Sequence, residues 1–218
     1  RSLSLQGVFS DDDYWYLVME LAAGGDLYDH FTERGANLKE EEVRTVIRDA
    51  ANALAHMHHL GIVHGDVKPE NLLLTTPAIA ASSISETPGL GRVLLADFGS
   101  SIRLTGPHSA EKAIVKASTA AYSAPEVVQN GCAVDEKIDV WSLGVIAFIM
   151  CKGHNPFDPT NEASDDEIVK MVTTADPDWD GLEPQAAQLI KRMLSRDPAE
   201  RPFARQVLDN VWLQFPSK

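Results

Sequence analysis

The chain has 218 residues, 44% apolar, 23% charged and 7% aromatic, a globular composition that excludes disordered, collagen-like and low-complexity architectures and suits one domain or a tight pair. Lys and Arg number 19 against 32 Asp and Glu, a net charge of −13. Such a surface repels phosphate backbones and anionic lipid, so neither nucleic acid nor a membrane is expected as a partner, and a basic partner is favoured.

Near the start, Leu3–Phe9 and Tyr14–Leu21 are rich in β-formers, and Ser10-Asp-Asp-Asp13 between them predicts a hairpin with a solvated tip. Ala22-Ala-Gly-Gly25 breaks the strand. A short helix is expected from Asp26 to Gly35, with Leu27, His30 and Phe31 on one face. Val43, Val46, Ile47, Ala50, Leu54, Met57 and His58 recur at helical spacing behind Glu40, Glu41 and Glu42, which suit a helix N-terminus, and Gly61 is a stop signal. Two short strands are expected at 72–74 and 93–96, with an exposed loop from Thr75 to Arg92 between them.

From Ile138 onward the pattern is helical, near 138–151, 165–174, 184–194 and 203–212, with Pro184 and Pro202 at helix starts. The apolar run Val140–Cys151 is too short to span a bilayer and reads as a buried core helix. Trp15, Trp141, Trp179 and Trp212 read as packing residues. Cys132 and Cys151 are too few for a disulfide framework, which fits reduced thiols in a cytoplasmic protein. Three of His56, His58, His59 and His64 fall at one helix end, without Cys or acidic partners at zinc-ligand spacing.

The chemistry lies in Ile62-Val-His-Gly-Asp-Val-Lys-Pro-Glu-Asn71. Phosphoryl transfer to an alcohol needs a carboxylate to orient the hydroxyl and take its proton, a cation to neutralise the moving group, and oxygen ligands for Mg²⁺. Asp66, Lys68 and Asn71 supply those types from one loop, and Asp97 follows the apolar run 93–96 as a second Mg²⁺ ligand. Then come Tyr122-Ser-Ala-Pro-Glu126 and Asp139-Val-Trp-Ser-Leu-Gly144.

In this order and spacing the motifs resemble a eukaryotic protein kinase catalytic domain of Ser/Thr type, similar to the calcium/calmodulin-dependent group. The resemblance implies an α+β fold, a mainly helical large lobe with a remnant of the small-lobe sheet. It assigns 1–21 to the small lobe, 22–25 to the hinge and 26–218 to the large lobe. It implies ATP and Mg²⁺ as cofactors and a protein substrate. Met19 would stand at the back of the adenine pocket, the backbones of Glu20 and Ala22 would bind adenine, Asp26 would reach the ribose, and Leu73 and Ala96 would flank the ring. Asp66 would be the base and Lys68 the phosphate-neutralising cation, with Asn71 and Asp97 on the metal and Thr119 bracing Asp66 and Lys68. Glu126 would pair with Arg201, Asp139 would cap the catalytic loop, and Leu5, His64 and Phe98 would belong to a regulatory hydrophobic stack.

Two departures stand out. No Gly-x-Gly-x-x-Gly loop precedes the hinge, nor do the Lys and Glu that pair in this family, so a fragment inactive by itself is expected. Gly89-Leu-Gly91 lies after the catalytic loop and reads as a turn. Gly65 replaces the Arg that in many kinases grips an activation-loop phosphate, which predicts little dependence on that phosphorylation. Glu70 and Asp26 border the expected peptide groove and favour Arg or Lys before the acceptor, although Ile149 stands where a further acidic contact is common. The alternative is a non-catalytic kinase-like interaction module. Small-molecule phosphotransfer fits less well, because Thr119 and 122–126 build a peptide-docking surface that a small substrate does not need.

Overall fold

β1 (Leu5–Ser10) and β2 (Trp15–Met19) form an antiparallel ribbon in the register Phe9↔Tyr16 and Leu5↔Met19, with an irregularity between Leu5 and Gly7. This computed structural model describes residues 2–34, 38–75, 91–104, 120–129 and 135–214. The Asp11 carboxylate closes the hairpin by accepting from the amides of Asp13 and Tyr14 and from the Tyr16 hydroxyl. Both faces of the ribbon are exposed, including Phe9, Tyr14 and Leu17, and Trp15 is 77% exposed. Trp15 therefore departs from the packing expected of it, because two strands alone have no third layer against which to bury a ring.

The rest of the described chain is mainly helical. α1 (Leu27–Arg34) is capped by Asp26, whose Oδ1 accepts the Asp29 amide at 2.8 Å, and it buries Leu27 and His30. α2 (Glu40–His59) starts with the Glu42 carboxylate accepting from the Lys39 amide at 2.9 Å. Its apolar face, from Val43 to Met57, lies in the core. α4 (Lys137–Lys152) is buried on all sides, as Leu143, Val145, Ile146 and Phe148 show, and forms the axis of the body. It packs on α6 so closely that a Cβ on Gly144 would sit 2.9 Å from Met193 Cβ. Trp141 stacks on Phe157, ring centroids 5.4 Å apart.

Four short strands lie in this body rather than the two expected. β4 (Leu72–Leu74) pairs with β5 (Val93–Leu95), and β3 (Ile62–Val63) pairs with β6 (Ile102–Arg103). The second pair has two residues a side, too few to show a period in sequence. Helix α3 (Pro125–Val128) is a single turn with Pro at its start. α5 (Asp165–Thr174) and α6 (Pro184–Met193) match their expected spans to within a residue. The expected helix 203–212 is two, α7 (Ala204–Leu208) and α8 (Val211–Gln214). Asn210 makes the break, its side-chain oxygen accepting the Trp212 amide as a fresh start signal. Pro202 lies just before the cap Phe203 rather than inside the helix.

Among the described residues no helix is long and apolar enough to cross a membrane.

Candidate active site

The β4–β5 pair builds the floor of the site. Leu72 and Leu74 point into the core and leave Leu73, on the opposite face of the strand, half-buried. The segment after β2 runs beside β4: Gly24 donates to Leu74 O and Leu74 donates to Gly25 O, both at 2.8 Å. Asp26 bridges Leu73. Before β1, the Leu3 amide donates to Leu95 O at 3.1 Å. Glu20 is held by its own amide on Ser4 O at 3.0 Å and by its carboxylate on the Ser4 amide at 2.8 Å. Leu73, buried Ala96, half-buried Ala22 and Asp26, and exposed Met19 at the end of β2 thus border one region.

Asp66, Lys68 and Asn71 converge as their spacing implied. Lys68 Nζ is 3.0 Å from Asp66 Oδ2. Asn71 Nδ2 donates to the Asp66 carbonyl at 2.7 Å and to Asp66 Oδ2 at 3.1 Å. Pro69–Asn71 is one turn of 3₁₀ helix, which lets the side chain of Asn71 reach back across five residues. The Ala96 amide donates to Asn71 O at 2.9 Å, which sets Asp97 beside Asn71.

Asp97 has φ 58°, in the left-handed region, and its Oδ1 accepts the Gly99 amide at 3.1 Å. A strained non-glycine residue of this kind clusters at functional sites. Both amide hydrogen bonds of Asn71 leave from Nδ2, so its side-chain oxygen faces no donor here. That oxygen and the exposed Asp97 carboxylate are hard donors of the kind Mg²⁺ takes alongside phosphate oxygens, and the residues fit the ion. Among the described residues no group of three His, Cys, Asp or Glu could hold a metal alone; one carboxylate and one amide need substrate oxygens to complete the shell.

The loop is held from below by Asp139, which is 1% exposed. Its Oδ2 accepts the His64 amide at 2.8 Å and its Oδ1 the Gly65 amide at 2.9 Å. His64 is fully buried. Its Nε2 lies 3.0 Å from the Ala96 carbonyl, which can only accept, so Nε2 carries the proton and Nδ1 accepts the Asp66 amide at 3.3 Å. His64 also meets Phe98 edge-on at 5.5 Å, while Leu5 lies exposed on β1. Gly65 has φ +79°, and a Cβ there would lie 2.9 Å from the Ser100 carbonyl oxygen.

Thr119 lies outside the described residues. Beyond that gap, Glu126 and Arg201 meet as a bidentate pair. Sequence reasoning missed three contacts that fix the site: His58 on Asp139, Asp49 on the Val93 amide and the Ser101 hydroxyl on the His64 carbonyl. Each spans more than thirty residues, and no local pattern announces them.

The protein kinase domain family matches residues 3–213. The serine/threonine-protein kinase PKZ1 of Phytophthora infestans is 35% identical over 97% of this chain and 54% of its own length. Serine/threonine-protein kinase 33 of Mus musculus is 33% identical over 97% and 42%. Calcium/calmodulin-dependent protein kinase type 1B of Rattus norvegicus is 32% identical over 97% and 57%. The chain spans about half the length of these curated relatives. Protein kinases as a class use ATP with Mg²⁺. With its catalytic-loop motif, its Asp97 turn and its Glu126–Arg201 pair on the page, the chain belongs to the protein kinase domain family.

Proposed function

We propose that the protein transfers the γ-phosphoryl group of Mg-ATP to Ser or Thr hydroxyls of protein substrates in the cytoplasm. The observation that carries this reading is the convergence of Lys68 Nζ and Asn71 Nδ2 on Asp66 Oδ2, with Asn71 joined through Ala96 to the neighbour of Asp97. When bound, Mg-ATP supplies the phosphoryl group and the metal charge that shields it. Asn71 and Asp97 would hold the metal. Asp66 orients the acceptor hydroxyl and takes its proton. Lys68 keeps a positive charge beside Asp66 and places it on the transferring group. Thr119 braces the pair. Met19, the backbones of Glu20 and Ala22, Leu73 and Ala96 form the adenine pocket, and Asp26 faces the ribose. In this reading 1–21 belong to the small lobe, 22–25 to the hinge and 26–218 to the large lobe.

A cavity of about 410 Å³ adjoins the catalytic loop, with Tyr28, Glu70, Tyr122, Ile149 and Asp158 among its lining. Burial first, then the negative charge of Glu70, raises the Tyr122 hydroxyl well above its ordinary range, so it stays a neutral donor. Two carboxylates and no Lys or Arg in the lining favour a substrate with Arg or Lys ahead of the acceptor.

The test is Mg-ATP labelling of a basic Ser peptide by the full gene product. Asp66→Asn and Asp97→Asn each reduce it by roughly 10³-fold or more. Labelling that survives Asp97→Asn, or none by the wild type, overturns the reading.

A further inference from the structure

Position 58 holds a residue that costs the fold more than its neighbours do. It stands in the last turn of α2, its side chain only 7% exposed. Its Nδ1 is buried with no hydrogen-bond partner, a standing penalty for a polar atom. Leu54 and Met57, buried on the same helix, fill their space without one. The ring's bond is made by the other nitrogen, Nε2, at 2.8 Å from Asp139 Oδ2. An ionised carboxylate can only accept, so Nε2 carries the proton.

That bond reaches the carboxylate that accepts the amides of His64 and Gly65, the two residues before Asp66. The loop cannot fix the rotamer of Asp139, because it is what Asp139 fixes. A third point from outside the loop is needed, and a 20-residue helix supplies it. The path is continuous: His58 to Asp139, Asp139 to the His64 and Gly65 amides, and His64 Nδ1 to the Asp66 amide.

We propose that His58 is a positioning residue for the catalytic loop, holding the Asp139 carboxylate in the orientation that places Asp66. The kinetic part of this inference rests on the phosphotransfer reading above; the structural part does not.

The experiment compares His58→Leu, which fills the space without a donor, with His58→Gln, whose side-chain amide nitrogen restores an N–H at the same reach. His58→Met is the second apolar variant should leucine not be accommodated. Amide hydrogen exchange of the full gene product is read first, because it needs no activity. In the apolar variant the His64 and Gly65 amides exchange at least tenfold faster, those of the α2 core keep their protection, and the glutamine variant restores both. Phosphotransfer is read second: kcat falls roughly tenfold in the apolar variant with KM for ATP unchanged, as a small misplacement of a reacting group dictates, and glutamine recovers most of it. Exchange at wild-type rates in the apolar variant overturns the inference, as does an equal loss of protection in the glutamine variant. Faster exchange of those two amides, with no phosphotransfer even by the wild type, supports the positioning of the loop and overturns the phosphotransfer reading alone.

Discussion

Arg201 grips Glu126 with both terminal guanidinium nitrogens, at 2.6 and 2.7 Å, while its Nε donates to the Ser195 carbonyl at 2.6 Å. Arg201 is 2% exposed and its guanidinium lies over the Trp141 ring at 5.0 Å. A planar fork satisfied on both edges and stacked on a ring is a place lysine cannot take. Glu126→Ala leaves a buried cation unpaired and lowers unfolding stability by about 3–5 kcal/mol. Arg201→Lys keeps the charge and loses the fork, and is expected to cost nearly as much. Urea unfolding of the two variants checks both; a loss below about 1 kcal/mol in either contradicts the reading.

Gly65 is fixed by geometry and not only by the missing arginine. Its φ of +79° costs an L-residue about 1–2 kcal/mol. A Cβ 2.9 Å from the Ser100 carbonyl then pushes on the segment that follows Asp97. Gly65→Ala is expected to destabilise by at least that amount. Gly65→Arg is expected to lower phosphotransfer rather than create a phosphate-dependent switch. Wild-type activity unchanged by phosphatase treatment, beside a weakened Gly65→Arg protein, is the predicted pattern; activity of the arginine variant that rises on loop phosphorylation would contradict it.

The N-terminus of α5 gives a pH test. The Glu167 carboxyl is held below its ordinary 4.5 first by the Ser164 hydroxyl at 2.7 Å and then by the Ser164 amide at 2.9 Å. A carboxyl lowered in the folded state stabilises fully above the unfolded value and loses that contribution as pH falls through the folded one. Glu167→Gln is therefore less stable than wild type at pH 7, and the gap closes as pH drops from about 5 toward 3. Denaturant midpoints across that range measure it; a gap that is constant with pH refutes the assignment.

Cys151 is the opposite case. Burial first, then the negative charges of Glu40 and Glu183, pushes its thiol up to about 12. Only the thiolate attacks alkylating reagents. At pH 8 the native Cys151 is expected to react with iodoacetamide slower than an unperturbed thiol by at least about 100-fold, and denaturant removes the difference. Peptide mapping separates it from Cys132.

Most of the fold was legible because its signals are local. The α2 stripe, the α5 and α6 starts and the Asp66–Lys68–Asn71 spacing each lie within a window one element long. The β3–β6 pair was not legible, since Ile62 and Arg103 stand 41 positions apart with two residues a side. Nor was the role of His58, because the partner that gives it meaning lies 81 positions away on α4. The split at Asn210 was missed because a side-chain cap can restart a helix inside an unbroken apolar pattern.

The bare ribbon and the sealed helical body together set how the protein emits light. Trp15 is 77% exposed while Trp141 and Trp212 are fully buried, and Trp179 lies between. A collisional quencher in the solvent darkens the ribbon's indole first and leaves the core indoles bright. Any molecule that lies over β1 and β2 shields Trp15 and shifts its emission to the blue, while loosening of the body shifts Trp141 and Trp212 to the red. One cuvette thus distinguishes coverage of the ribbon from opening of the core, without a label.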